Sequence, residues 1–171
     1  VQLSLEKIRY NPCIAVLAVL EGPSGLPEPG ALQLQGEPIA FLTDNQQKGI
    51  SDEPAITIHA GPEFSRMHLD RDREEAAHIL IEAAAPYLSA PVREFQVHGW
   101  RYSQPSVLHP ERCLLTRVPG LLAFAGDAFG EARVEGAFLS GVSAAEVLSD
   151  RLRPVASGSS DQAKQRIREL L

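Results

Sequence analysis

The stretch "CIAVLAVLEGP", residues Cys13–Pro23, is a continuous apolar run rich in Ile, Val and Leu that stops at a Gly-Pro pair. A run of this length and branched content is typical of a β-strand that is buried on both faces. The stretch therefore predicts a strand inside a sheet that is covered on both sides.

Three further segments carry strand signals. Pro38–Asn45 is apolar and ends in an Asp-Asn turn, Ala55–Gly61 alternates apolar and polar residues, and "VREFQVHGWRYSQP" at Val92–Pro105 stops at a proline. Between the last two, the apolar spacing changes to i, i+3, i+4, which predicts an amphipathic helix over Arg73–Leu88.

The order of these elements indicates the fold class. Strands come first as a group, followed by helix, strand and helix, which is an α/β (mixed α+β) layout with a mixed sheet and helices packed on it. Asp70 or Asp72 can cap the first helix. At the end of the chain, "RPVASGSS" is typical of a linker, and Asp161–Leu171 predicts a short polar helix.

Composition excludes several classes. The net charge is −6, from 16 basic and 22 acidic residues without a basic stripe, so nucleic acid is not an expected partner. No apolar run approaches the roughly 18 residues of a membrane-spanning helix. Cys13 and Cys113 lie in apolar surroundings, and we expect buried free thiols and a reducing, cytoplasmic location. Because the chain starts at Val1, we expect an internal or trimmed piece.

The stretch "LLAFAGDAFGEARVEGAFLSG", residues Leu121–Gly141, combines a predicted buried strand, a Gly-Asp turn and a helix that starts near Val134–Ala137 and runs to about Leu152. Ligands of open α/β sheets bind beyond the carboxyl ends of strands, where Asp127 is placed. Its carboxylate needs donors, which sugar hydroxyls could supply. The first N–H groups of the helix could meet electron-rich ligand atoms, and Gly136 would let a flat ligand approach the backbone.

The spacing of these residues supports ordinary packing, without a ligand, about equally well. Gly-Asp pairs are common in turns, and small residues at i, i+4 are also typical of a helix that packs tightly. Two such stripes are present: Gly136, Ser140 and Ala144, and Ala137, Gly141 and Ala145. The 171 residues contain no GxGxxG and no Walker-type loop, so they hold no phosphate cradle of their own.

Four motifs, in order, resemble one protein family. "FAGDAFGEARVEGAFLSGVSAAEVL" resembles the C-terminal flavin motif of the flavin-containing amine oxidase superfamily. "YNPCIAVLAVL", "ITIHAGPEFSR" and "VHGWRYSQP" resemble its renalase-like branch of NAD(P)/FAD-dependent oxidoreductases. The resemblance covers about Ile8 to Leu148.

The resemblance implies a domain organisation and FAD as cofactor. Residues 1–110 would form a substrate-type domain, residues 111–152 the last strand and helix of a Rossmann-type FAD domain, and residues 153–171 a linker and terminal helix. The GxGxxG region of that domain, N-terminal in the family, is absent from these residues. Asp127 would bind the ribityl or pyrophosphate part of FAD, and the backbone at Val134–Ala137 would face the flavin ring. The implied cofactor-binding residues are Gly126, Asp127, Val134, Glu135, Gly136 and Ala137.

The resemblance also implies a reaction. A hydride would pass from a reduced small-molecule donor, either an amine or a dihydronicotinamide dinucleotide, to FAD, with oxygen as acceptor. The alternative from another class is a non-enzymatic α/β binding or interaction module that retains the scaffold. An uncovered apolar face would favour self-association of the chain.

Alternation along "VHGWRYSQP" places His98, Trp100 and Tyr102 on one face of a strand. Periodicity alone favours an aromatic stripe in the core, whereas the resemblance implies the wall of a substrate pocket. The family often has a basic residue before the tryptophan, and here that residue is Gly99. Arg101 is predicted to point to the other face and not to replace it.

Other chemistries find little support in the sequence. The remaining histidines lack metal-ligand spacing, so no metal is expected. No serine stands in a nucleophile-elbow context, which argues against a hydrolase. These histidines are His59, His68, His78 and His109.

Overall fold

A computed structural model describes residues 2–117 and 119–153. The chain divides into two compact units, Gln2–His109 and the part that begins at Pro110. The predicted linker from residue 154 onward and the predicted helix at Asp161–Leu171 lie outside the described residues.

The first unit contains a five-stranded sheet in the order β2-β3-β4-β1-β5. The strands are β1 (Arg9–Leu20), β2 (Ala31–Gln33), β3 (Ile39–Asp44), β4 (Ala55–Ala60) and β5 (Val92–Val107). Four of these match predicted strands, and β2 was not predicted.

The prediction of a mixed sheet is wrong for the described residues, because every neighbouring pair of strands in them is antiparallel. Short connections join β2 to β3 and β3 to β4, and such connections permit hairpins, whereas a parallel pair needs a long crossover. The helical segment between β4 and β5 returns the chain beside β1 in the opposite direction to it. The fold is thus α+β with an antiparallel sheet.

The core lies on one side of the sheet. Helices α1 (Gln2–Leu5), α2 (Pro62–His68) and α3 (Arg73–Ala84) belong to this unit. Asp72 caps α3, because its carboxylate accepts a hydrogen bond from the Glu74 N–H at 2.9 Å. The helix ends before the predicted Leu88 and continues as a 3₁₀ turn at Ala85–Tyr87, since Pro86 lacks the N–H that an α-helix requires.

Strand β1 is completely buried on one face and only in part on the other, contrary to the prediction. Its residues Ile14, Val16, Ala18 and Leu20 are at most 2% exposed and pack with Ala76, Ala77, Leu80 and Ala84 of α3 in one cluster. On the other face, Leu17 is 46% exposed. We call the side of the sheet that carries Leu17 the open face.

The second unit contains a hairpin and a long helix. Strands β6 (Leu114–Thr116) and β7 (Leu122–Phe124) pair antiparallel, and α4 (Arg133–Leu152) packs against β7. The prediction that this strand is buried is wrong. Leu122 of β7 is 48% exposed, and β7 is only three residues long. No helix among the described residues has both the length and the apolar character needed to cross a membrane.

Candidate functional site

The open face carries a shallow cavity over strands β4, β1 and β5. Its volume is about 360 Å³, within the size range of small-molecule sites. The residues that line it are Ala15 and Leu17 of β1, Thr57 and His59 of β4, and Gln96, Val97, His98 and Trp100 of β5.

A second cavity adjoins the first along β1. It has a volume of about 380 Å³ and shares Leu17 and Gln96 with the first. It extends toward Ile50 and Glu94, so the two cavities form a continuous groove on the open face.

Two of the three ring-bearing residues that the sequence singled out, His98 and Trp100, lie on this face. Trp100 is 54% exposed, which excludes an aromatic stripe in the core of this unit. Its ring contacts that of His98 with centroids 4.5 Å apart at 62°, and both side chains line the first cavity. Tyr102 does not line this cavity, and its ring contacts that of Tyr10 with centroids 5.9 Å apart.

Position 99 faces the other side of the sheet. A Cβ at Gly99 would lie 2.8 Å from Leu69 Cδ1 and 3.2 Å from Arg73 Nε. The side chain of a basic residue at position 99 would therefore point toward the helices and away from the cavity. Arg101 also points away from the open face, as predicted, and forms an ion pair with Asp70.

His59 is a cavity residue that the sequence reasoning missed. It was considered only as a metal ligand, although alternation in "AITIHAG" places it in phase with Thr57. Burial, and to a smaller extent the nearby charge of Lys48, lowers the pKa of His59 below its ordinary value. Its imidazole is therefore neutral at pH 7, with one donor and one acceptor nitrogen.

Cys13 lies in β1 opposite Trp100 of β5. Both cysteines are free thiols, as expected, but each is only partly buried. Burial raises the pKa of the Cys13 thiol, so it stays protonated at neutral pH.

The Gly-Asp turn of the second unit is held by a serine. Gly126 has φ 143°, a conformation that favours glycine. Its N–H donates to the Ser140 hydroxyl at 2.8 Å, and that hydroxyl donates to the Arg112 carbonyl at 2.5 Å. Asp127, which follows, is partly exposed.

The start of α4 combines exposed and buried positions. Val134 and Glu135 are exposed and Ala137 is partly buried, so the first turn is accessible. Gly136 is buried, and a Cβ there would lie 2.0 Å from the Glu131 carbonyl oxygen. Its small size is therefore explained by packing against the chain's own loop, and the flat-ligand interpretation of Gly136 loses its support.

The comparison with protein-family models finds no matching family. Among residues 2–117 and 119–153, no group of three His, Cys, Asp or Glu side chains is placed to hold a metal ion. Function is therefore inferred from the residues and their geometry.

Proposed function

We propose that this chain forms the donor-binding sheet and the C-terminal strand and helix of a renalase-like, FAD-dependent oxidoreductase. The single observation that carries the proposal is the open face, where His59, His98 and Trp100 line a cavity of about 360 Å³. Such a cavity suits a flat donor ring, and four sequence motifs of the family occur in order along the same chain.

The residues present fit part of FAD. The Asp127 carboxylate is partly exposed after a turn fixed by Ser140, and can accept hydrogen bonds from ribityl hydroxyls. The exposed first turn of α4 at Val134 and Glu135 can lie near the flavin ring. Gly136 does not fit close approach of a ligand. In the proposed enzyme, the N–H groups that bind the pyrophosphate come from outside these 171 residues.

When bound, FAD supplies the group that accepts a hydride. The chain's own residues bind and orient the donor. Trp100 and Leu17 provide apolar surface, and neutral His59 provides a donor and an acceptor at the edge of the cavity. Oxygen is the proposed final acceptor of the electrons.

A non-enzymatic interaction module is the second candidate, and one observation favours it. The small-residue stripe of α4 at Gly136, Ser140 and Ala144 is buried within its own unit. Packing within the unit therefore explains these small residues without a ligand, as expected for a scaffold that binds no cofactor.

The test uses the full-length natural polypeptide. Flavin absorbance of the purified protein supports the oxidoreductase, and a colourless protein that takes up no added FAD contradicts it. Trp100→Ala should lower kcat/KM for the donor about tenfold while flavin content stays unchanged, because the ring walls the donor cavity. Tyr87→Ala, at an exposed ring outside the open face, is the matched control. Loss of flavin in folded Trp100→Ala would place Trp100 under the cofactor.

A further inference from the structure

The C-terminal end of α3 carries a negative charge that no residue of its last turn balances. Glu74 and Glu75 lie in the first turn, where the helix dipole favours anions, but Glu82 lies in the last turn, where the dipole favours cations. No basic residue occurs in that turn. The ion pairs among residues 2–117 and 119–153 do not include Glu82. This end of the helix therefore attracts a cation.

A cavity lies at the same end of α3. It has a volume of about 460 Å³, within the size range of small-molecule sites, and is lined by residues between the last turn of α3 and the start of β5. In the lining that the structure describes, Glu82 is the one charged residue and Ser89 is the other polar residue. The apolar lining residues are Ile81, Ala85, Leu88, Ala90, Pro91 and Val92. A ligand in this cavity thus meets a carboxylate beside apolar surface.

The segment that joins α3 to β5 is fixed by backbone hydrogen bonds at two lining residues. The Ser89 N–H donates to the Ser24 carbonyl at 2.8 Å, and the Glu21 N–H donates to the Pro91 carbonyl at 3.0 Å. The cavity therefore has its shape before a ligand arrives, which lowers the entropic cost of binding.

This cavity is separate from the two cavities of the open face. Among the described residues, it shares no lining residue with either of them. Helix α3 packs on the side of the sheet that carries Ile14, whereas Leu17 is on the open face. Binding at the end of α3 is therefore independent of the proposed oxidoreductase.

We propose that this cavity binds a guanidinium group that is attached to an apolar body. A guanidinium is planar and can donate two parallel hydrogen bonds to a carboxylate such as that of Glu82. It is also more weakly hydrated than an ammonium group, which suits a cavity whose lining is mostly apolar. The apolar body covers the apolar lining residues, whereas phosphates and carboxylates are repelled by Glu82 and by the end of the helix.

The probe is n-butylguanidinium, which is titrated into the ¹⁵N-labelled 171-residue chain while the backbone amide chemical shifts are followed. The shifts should change among residues 81–92, which line the cavity. n-Butanol lacks the charge and the bare guanidinium ion lacks the apolar body. Each should bind at least about twofold more weakly than n-butylguanidinium, because each loses one of the two kinds of contact.

Glu82→Gln should weaken binding of n-butylguanidinium about two- to tenfold, because the charge of an exposed ion pair is removed. Glu75→Gln is the matched control, since Glu75 is an exposed carboxylate at the other end of the same helix. Its dissociation constant should equal that of wild type. Ala85→Leu tests the cavity without changing Glu82, and should abolish binding because the longer side chain occupies the space of the ligand. The same spectra show that each variant is folded.

The inference is overturned if n-butylguanidinium leaves the amide shifts of residues 81–92 unchanged. It is also overturned if Glu82→Gln binds the probe as wild type does, or if n-butanol binds equally well. A guanidinium group with an apolar body occurs on free small molecules and on the arginine side chains of peptides, and N-acetylarginine amide distinguishes these two sources. Binding at least as tight as that of n-butylguanidinium identifies an arginine side chain, and weaker binding identifies a free small molecule.

Discussion

Ser140 connects three parts of the second unit through one hydroxyl group. It is 0% exposed, accepts from the Gly126 N–H and donates to the Arg112 carbonyl. A buried hydroxyl with both bonds made stabilises the turn that carries Asp127. The turn that carries the partly exposed Asp127 is thus held by Ser140 of α4, which lies fourteen positions after Gly126.

Asp127→Ala in the full-length polypeptide should weaken FAD binding about ten- to a hundredfold. A carboxylate that is hydrogen-bonded to ligand hydroxyls contributes roughly 1.5–3 kcal/mol, and the substitution removes it. The measurement is thermal melting with and without FAD, since a ligand stabilises only the state that binds it.

The same melting curves identify a purely structural Asp127. In that case the melting temperature without FAD falls, and added FAD stabilises wild type and variant equally. Asp150→Ala, at an exposed carboxylate near the end of α4, is the control.

Asp44 holds the turn after β3 together. It is 4% exposed, and its carboxylate accepts from the Ser24 hydroxyl at 2.5 Å and from the backbone N–H groups of Gln46 and Gln47 at 2.8 and 2.9 Å. Burial opposes ionisation of Asp44, but these hydrogen bonds outweigh burial and hold its pKa below the ordinary value. The ionised carboxylate therefore favours the folded state.

Asp44→Asn should lower the free energy of unfolding at neutral pH by about 2 kcal/mol, because the amide cannot accept the same set of bonds. Since the folded pKa is depressed, the stabilisation is present above the unfolded pKa of about 3.9 and is lost as pH falls through the folded pKa. Urea denaturation at a series of pH values should show a smaller acid loss in Asp44→Asn than in wild type. Exposed Asp52→Asn is the control, and an identical acid loss in wild type and Asp44→Asn would contradict the prediction.

At the scale of elements, α4 has two glycines in opposite environments. Gly136→Ala should destabilise the second unit by about 1–3 kcal/mol, because its Cβ meets the Glu131 carbonyl at 2.0 Å. Gly141 has no neighbour within 4 Å of its Cβ position among the described residues, so Gly141→Ala should stabilise the helix by about 0.5–1 kcal/mol. Denaturant unfolding of the two variants measures the difference, and a stable Gly136→Ala would show that the loop moves aside.

Sequence patterns predicted those elements whose pattern or capping residue lies within or next to the element itself. The alternation of Ile56 and Ile58 with Thr57 is confirmed as β4, and Asp72 is confirmed as the cap of α3. Helix α2 was missed because part of its stabilisation is remote: the Glu37 carboxylate accepts from the N–H groups of Glu63 and Phe64. Glu37 lies far before α2 in the sequence, so the residues around α2 do not reveal this contact.

The burial of β1 and the cavity could not be predicted for a related reason. The apolar side chains of Leu17 and Ile14 look alike in sequence, but helices pack only on the side of Ile14. His59 and His98 belong to different strands, and their shared neighbour Ala15 appears only once the register is known. The placement of β7 and α4 in a Rossmann-type domain stays a prediction.

At the scale of the whole molecule, each unit presents apolar surface. Trp100 and Leu17 are about half exposed in the first unit, and Val134 and Phe138 are 88% and 68% exposed in the second. Val134 and Phe138 lie one turn apart on α4, and exposed apolar surface of this kind favours association, so the isolated 171-residue chain should self-associate with increasing concentration.

Sedimentation measures this association. Phe138→Lys should reduce it, because a charge on α4 opposes burial of the helix surface, whereas Ser149→Lys at another exposed position of the same helix should not. A chain that stays monomeric at all concentrations, or two variants that behave alike, would contradict the prediction.

The position of β1 between β4 and β5 also determines when the sheet can form during synthesis. One neighbour, β4, is complete at Ala60, but the other, β5, is complete only at Val107. While the ribosome makes the intervening residues, the apolar strand emerges without its second partner and is a natural target for chaperones. Pairing between residues as distant as Ala15 and His98 also raises the contact order, which slows folding of this unit relative to a helical domain of similar size.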